Sequence, residues 1–204
     1  MSIHVYKNDL PQGVTFTGAV AVDTETLGLK PTRDRLCLVQ LSQGDGTVHI
    51  VQFDGENYEA PNLKAVLSDR NLVKIFHYAR FDLAVIAHYL NVHAAPLWCT
   101  KIASKLVRTY TDRHGLKELC RELIGVEISK QQQSSDWGAQ ELSEAQLNYA
   151  ASDVLYLHQL KDKLEMMLDR EGRRPMAEAC FDFVLIRAAM DMTGFEDIDI
   201  FSHA

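Results

Sequence analysis

Two carboxylates in the first hydrophobic segment are the residues of this sequence best placed to do chemistry. Asp23 and Glu25 follow the small and β-branched residues 19–22, a pattern typical of a buried strand. Side chains at i and i+2 of a strand point to one face, so these carboxylates would repel each other unless a cation lay between them. Mg²⁺ and Mn²⁺ prefer oxygen ligands, and the pair therefore favours a divalent metal site. The alternative is an ordinary pair of solvated residues at a strand end.

Two further carboxylates and a tyrosine extend this candidate metal site. Asp82 begins a predicted helix, where the helix dipole alone would favour an acidic residue. Asp153 lies among apolar residues of the longest predicted helix, and Tyr149, which could also be an ordinary core residue, precedes it on the same face. Four carboxylates could hold two divalent ions about 3.5–4 Å apart, with Asp23 shared, an arrangement suited to in-line attack of water on a phosphodiester. Tyr149 would orient that water or deprotonate it.

A basic segment in the middle of the chain is a candidate for phosphate contact. Lys101, Lys105 and Arg108 share one face of a predicted helix, and Arg113 follows it. Charge-assisted hydrogen bonds from these residues could hold a 5′ phosphate. A solvated helix face is the alternative interpretation.

Two residues near the carboxylates are candidate substrate contacts. His77 lies five residues before Asp82, where a hydrogen-bonded histidine is expected. Leu29 follows Glu25 and Gly28, where an apolar residue would ordinarily pack in the core. The glycine would permit a close backbone approach.

Strands and helices that must position these residues alternate along the chain. A strand-like lead-in is predicted over 1–17, and strands are predicted from residue 19 through Glu25 and at 36–42, 47–53 and 73–77. Residues 97–109 are predicted to hold a short strand and then a basic helix, and further helices are predicted at 62–69, 81–90, 115–124, 143–170 and 175–192. Three consecutive strands followed by alternating helices and strands predict an α/β or α+β fold. Its mixed sheet would have three antiparallel strands, then parallel strands, with helices on its faces.

Length, charge and cysteine use limit the classes of protein. The 204 residues, 47% of them apolar, are expected to form one domain spanning 1–204. A net charge of −7 argues against a protein that coats long nucleic acid, although bound metals could supply positive charge locally. The four scattered cysteines are expected to be reduced thiols of a cytoplasmic protein. Neither a signal peptide nor a membrane span is predicted.

The order of the motifs resembles the DEDD exonuclease family. Asp-x-Glu stands on the first strand, Asp at a later helix start and Tyr-x-x-x-Asp on a late helix. Tyr149, with Asn148 where another branch has histidine, is similar to the RNase D-like branch, and Lys130 with residues 135–137 resembles the loop before its catalytic helix. The resemblance implies an RNase H-like fold, two Mg²⁺ or Mn²⁺ ions on the four carboxylates, and 3′→5′ hydrolysis releasing 5′-mononucleotides. The HRDC domains of RNase D are not expected in this chain.

Segments 100–106 and 109–117 resemble a branch of this family that degrades very short RNAs. Leu29 is similar in position to an apolar residue that short-RNA exonucleases place as a wedge against the bases. That resemblance implies a homo-octamer, in which the apolar segments 176–192 and 195–201 would form subunit interfaces. We therefore predict a metal-dependent 3′→5′ exoribonuclease for short RNA, dinucleotides above all. The alternatives are a general exonuclease acting on longer RNA or DNA, and a non-catalytic nucleic-acid-binding module.

Overall fold

A six-stranded sheet forms the centre of the computed structural model, which describes residues 1–129, 131–132 and 134–203. Lys130, predicted to belong to the loop before the catalytic helix, lies outside the described residues. The strands are β1 (Ser2–Lys7), β2 (Ala19–Thr26), β3 (Leu36–Ser42), β4 (Thr47–Gln52), β5 (Val73–Phe76) and β6 (Leu97–Cys99). Aliphatic and β-branched side chains dominate the inner strands, and every residue of β3 is buried.

The strand order is β1-β4-β3-β2-β5-β6. β2, β3 and β4 are antiparallel neighbours, and β5 and β6 continue the sheet parallel to β2. β1 adds an edge strand parallel to β4. The predicted mixed sheet is thereby confirmed, with the strand that carries Asp23 and Glu25 in its interior.

Helices cover the sheet and bury a continuous apolar core. They are α1 (Pro61–Ser68), α2 (Ala79–Leu90), α3 (Thr100–Val107), α4 (Leu116–Leu119), α5 (Glu144–Leu155), α6 (Leu157–Arg170) and α7 (Arg174–Met192), and a π-helical turn, Cys120–Ile124, continues α4. α5 packs across β2, β3 and β4, while α2 packs on α7 and α3 packs on α6. Among the described residues, no helix combines the length and the apolar character needed to cross a membrane.

The single helix predicted over 143–170 is in fact two helices. The predicted capping box is present, since Gln146 donates its backbone N–H to the Ser143 hydroxyl and accepts the Ser143 N–H with its side chain. The α-helix then breaks at Tyr156, whose ψ of −1° departs from helical values. The break allows α5 to pack on the sheet while α6 packs on α3, two surfaces that one straight helix would not follow.

Candidate active site

Strand β2 and helix α5 bring three carboxylates together. Asp23 and Glu25 lie on one face at the end of β2, and α5 crosses that strand and carries Asp153. Asp23, Glu25 and Asp153 each offer a carboxylate oxygen, and these oxygens all lie within 4.8 Å of one another. All three residues are half-buried. The sequence spacing alone predicted the first two as a pair, and the packing of α5 adds the third.

Asp82 lies beside this trio but is held differently. It is in the first turn of α2, only 4% exposed, and accepts a hydrogen bond of 2.7 Å from the Thr24 hydroxyl. Thr24 stands between Asp23 and Glu25 in β2, so this bond links α2 to the carboxylate strand. Thr24 could not be recognised from the sequence, because a threonine in a strand carries no signal of its own.

The turn before α2 has a backbone conformation that the sequence did not reveal. Tyr78, directly before α2, has a left-handed backbone with φ of 69°. A residue with a Cβ adopts this conformation only at a cost in free energy, which the surrounding structure must offset. Glycine or asparagine would have signalled such a turn, whereas tyrosine gave no indication of it. Tyr78 is 45% exposed and lines the cleft in front of the carboxylates.

Tyr149 faces the same cleft from α5, one turn before Asp153. Its ring lies 5.9 Å, centroid to centroid, from that of Trp137, a nearly fully buried residue. Trp137 therefore packs behind Tyr149 and limits the positions that the ring can take. Burial and the neighbouring carboxylates raise the pKa of Tyr149 further above its usual range, with Asp153 the strongest of those neighbours.

The cleft has a volume of about 630 Å³, and Leu29 and Phe81 are among the apolar residues that line it. Leu29 is 85% exposed, so it does not pack in the core. A Cβ at Gly28 would overlap the Asp34 carboxylate, which also accepts the backbone N–H of Lys30 at 3.0 Å. The glycine thus lets the loop close on Asp34, and the closed loop presents Leu29 to the cleft.

The basic and histidine candidates divide into two groups. His77 and Lys101 line the cleft: His77 Nδ1 lies 2.8 Å from the Thr100 hydroxyl, and the Lys101 ammonium lies 4.1 Å from the Tyr78 ring centroid. Lys105 and Arg113 are exposed, but neither lines the cleft. Lys117, at the end of the same predicted basic segment, also lines the cleft. Three serines for which the sequence carried no signal line it too, namely Ser129, Ser134 and Ser135.

Arg108 requires a correction. Its side chain is fully buried, and its guanidinium donates to Glu122 at 2.5 Å, to the Ser104 hydroxyl at 3.0 Å and to the Arg113 carbonyl at 2.7 Å. A guanidinium with these partners is a structural tie between α3 and the segment after it. The prediction that Arg108 contacts phosphate is therefore wrong, because helix periodicity could not show that this face turns toward Glu122.

Comparison with known proteins identifies the family. A 3′–5′ exonuclease family model matches residues 7–169. The chain belongs to the 3′–5′ exonuclease family. Asp23, Glu25 and Asp153, which we call the acidic cluster, lie together with Asp82 within the matched residues.

Relatives from this exonuclease family are similar over different lengths. Ribonuclease D of Gluconacetobacter diazotrophicus is 37% identical over 154 residues, which are 76% of this chain and 39% of that protein. The chain thus spans about two fifths of the length of that curated relative. Brucella melitensis NrnC with bound Mg²⁺ has a TM-score of 0.94 and 56% identity, covering 100% of both chains. The same NrnC bound to pGG has a TM-score of 0.95 and 57% identity, again covering 100% of both chains.

Exonucleases of this family use two divalent ions, and the residues present here fit them. Burial and repulsion from neighbouring carboxylates raise the pKa of Glu25 to about 9 and that of Asp23 well above its usual range. Burial raises the pKa values of Asp82 and Asp153 to about 7. An all-oxygen donor set that repels itself in this way is suited to hard divalent cations.

These pKa values predict how metal removal changes stability. The folded-state values exceed those of an unfolded chain, about 4, so stability is highest where the carboxylates are protonated and falls as pH rises through the folded values. In EDTA, the midpoint of thermal unfolding should decrease as the pH is raised from about 7 to about 8. A decrease of ~2 kcal/mol in the free energy of unfolding would correspond to a decrease of about 4–8 °C in this midpoint. Saturating Mg²⁺ should remove most of this dependence, because the cations neutralise the ionised groups.

Differential scanning calorimetry in EDTA and in Mg²⁺ at these pH values checks the prediction. Histidines whose pKa values are lowered by burial, namely His49, His114 and His158, titrate below this range and do not obscure it. The prediction would be contradicted by a midpoint in EDTA that is constant or rises with pH over this range.

Proposed function

We propose that this chain is a two-metal 3′→5′ exoribonuclease that hydrolyses short oligoribonucleotides, dinucleotides above all, to 5′-mononucleotides. The observation that carries the proposal is the meeting of the acidic cluster, Tyr149 and exposed Leu29 in one cleft of about 630 Å³. A cleft of this size suits a ligand of a few hundred daltons rather than a long polymer. The binding of pGG by the similar NrnC supports a short substrate.

Each acidic residue has a role in this proposal. Asp23, Glu25, Asp82 and Asp153 would hold the two ions, with Asp23 shared between them. When bound, the ions would supply a water nucleophile at neutral pH and charge stabilisation of the phosphodiester. Thr24 keeps Asp82 oriented through its hydroxyl.

Tyr149 would orient the attacking water by a hydrogen bond. Its raised pKa keeps the hydroxyl protonated at neutral pH, which favours orientation over the alternative role of general base. Trp137 behind the ring would hold that hydroxyl in place. Exclusion of bulk water from this part of the cleft would strengthen the hydrogen bond.

Substrate contacts would come from the cleft walls. Leu29 and Phe81 would support the bases, and His77, Lys101 and Lys117 are the candidates for the phosphate and sugar. Lys105 and Arg113 could contribute only to a substrate that extends beyond this cleft.

We also propose that copies of the chain associate, as an octamer in the arrangement implied by the resemblance. α7 and the segment after it expose Met176 at 56%, Ile186 at 57% and Phe201 at 77%. An apolar groove of about 500 Å³ between α3 and α7 adjoins them. A large exposed apolar surface is typical of subunit interfaces.

A cytoplasmic location, consistent with four free cysteines, belongs to the same proposal.

Kinetics on RNAs of two, three, five and seven nucleotides, with matched DNA oligonucleotides, tests the proposed function. We expect kcat/KM in Mg²⁺ to be highest for the RNA dinucleotide. Leu29→Ala should raise KM for the dinucleotide about tenfold, because about 1.4 kcal/mol of apolar contact is lost. Met166→Ala is the matched control, since Met166 is 69% exposed on α6 and does not line the cleft.

Other outcomes would favour the alternatives. A kcat/KM that rises with length would identify a general exonuclease. Binding without hydrolysis of any oligonucleotide would identify a nucleic-acid-binding module. Light scattering tests association, and a monomer at all concentrations would contradict the octamer.

A further inference from the structure

Gln40 is a buried polar residue without a hydrogen-bond partner among the described residues. It lies on β3 at 0% exposure, and neither its amide nitrogen Nε2 nor its oxygen Oε1 is paired. A buried amide left unpaired costs roughly 1–3 kcal/mol, so such groups are uncommon in folded proteins. A residue of this kind is expected to have a partner in the functional state.

The strand register places Gln40 next to the acidic cluster. It pairs directly with Asp23 across the antiparallel strands β3 and β2. Residues directly opposite each other project from the same face, with Cβ atoms about 4.5–5.5 Å apart, which is within reach of an amide side chain. The buried residues of α5, which covers this part of the sheet, are Ala150, Ala151 and Val154, and none has a hydrogen-bonding side chain.

Gln52 shows what a purely structural glutamine looks like on this sheet. It pairs with Leu38 on β3, two residues from Gln40 and on the same face. Its Nε2 donates to the Ala139 carbonyl at 2.9 Å, and its Oε1 accepts from the Lys7 ammonium at 2.8 Å. Gln52 thus has partners for both amide atoms, whereas Gln40 has none within the described part of the chain.

A comparison of the two aspartates shows what Gln40 could do. Asp82 already receives a hydrogen bond from a neutral donor, the Thr24 hydroxyl. The electrostatic neighbours of Asp23 are three other carboxylates, Asp82, Asp153 and Glu25. A neutral amide can donate a hydrogen bond to Asp23 and leave unchanged the negative charge that attracts cations. A lysine or arginine at this position would reduce that charge.

We propose that Gln40 is a positioning residue whose amide Nε2–H donates a hydrogen bond to the Asp23 carboxylate when the acidic cluster holds its divalent ions. The inference rests on the proposed function. One oxygen of Asp23 would be held by Gln40 and the carboxylate thereby oriented toward the ions. Groups that orient ligands in this way typically change metal affinity by about 10–100-fold.

Gln40→Met tests this inference, with Gln52→Met as the matched control. Methionine keeps the length and burial of glutamine but removes the amide. Mn²⁺ affinity measured by isothermal titration calorimetry should fall about 10–100-fold for Gln40→Met, and its thermal midpoint in EDTA should stay the same or rise. Gln52→Met should lower the midpoint in EDTA and leave Mn²⁺ affinity unchanged, because it breaks bonds that do not involve the acidic cluster.

The remaining outcomes distinguish this inference from the proposed function. Unchanged Mn²⁺ affinity in Gln40→Met would overturn the positioning role, whatever happens to stability. A fall in affinity accompanied by a midpoint in EDTA as low as that of Gln52→Met would also overturn it, since a structural defect would then account for both. If the unsubstituted protein bound no Mn²⁺ or Mg²⁺, the proposed function itself would fail.

Discussion

Replacing Asp153 with asparagine is expected to lower kcat on a short RNA by at least about 10³-fold at saturating Mg²⁺. Metal ions in such sites contribute several kcal/mol of transition-state stabilisation, and each 1.36 kcal/mol is about a tenfold change in rate. Asparagine has the shape of aspartate but lacks the negative charge. Quenched-flow measurement of product formation under single-turnover conditions would report the chemical step.

The same variant should be more stable than the unsubstituted protein when metal is absent. The ionised carboxylates of Asp153, Asp23 and Glu25 lie close together and repel one another. Burial also raises the pKa of Asp153 to about 7. Removing its charge should therefore raise the thermal midpoint in EDTA near pH 8. Glu141→Gln, an exposed carboxylate change, is the control and should alter neither quantity. Turnover of the Asp153 variant near that of the unsubstituted protein would show that this carboxylate has no catalytic role. Hydrolysis by the unsubstituted protein that persists in EDTA would show that the reaction does not depend on divalent ions.

Tyr149→Phe should lower kcat by about 10²-fold, the lower end of the range for general acid–base groups, because the hydroxyl orients the water and does not take its proton. The phenyl ring retains the packing on Trp137, so only the hydroxyl is removed. KM for the dinucleotide should change little, because the water rather than the substrate loses its partner. Steady-state kinetics at saturating substrate and Mg²⁺ gives both constants.

Tyr156→Phe is the matched control for this substitution. Tyr156 is the residue between α5 and α6, and it does not line the cleft. Its variant should keep the kcat of the unsubstituted protein. Equal kcat values for the Tyr149 and Tyr156 variants would refute the role proposed for the Tyr149 hydroxyl.

Local periodicity was sufficient to predict the mixed sheet and to place acidic residues on shared faces. Asp23 and Glu25 share a face because strand side chains alternate, and Tyr149 and Asp153 share a face because they are four residues apart on a helix. These relations depend only on neighbours in the chain. Their catalytic roles stay predictions until the substitutions are measured.

Contacts between distant segments decided what local patterns could not. Lys101 and Arg108 lie on one predicted helix face, yet Lys101 reaches the cleft while Arg108 is buried against Glu122. The left-handed turn at Tyr78 is imposed by the packing around it and not by the residue type.

The sequence by itself therefore determined the fold class and the two local pairs, Asp23 with Glu25 and Tyr149 with Asp153, because these follow from the spacing of neighbouring residues. Only the tertiary structure decided which basic side chains face the cleft, and only it brought Gln40 opposite Asp23. That pairing depends on the register between two strands, and register is set by the burial of the whole sheet face.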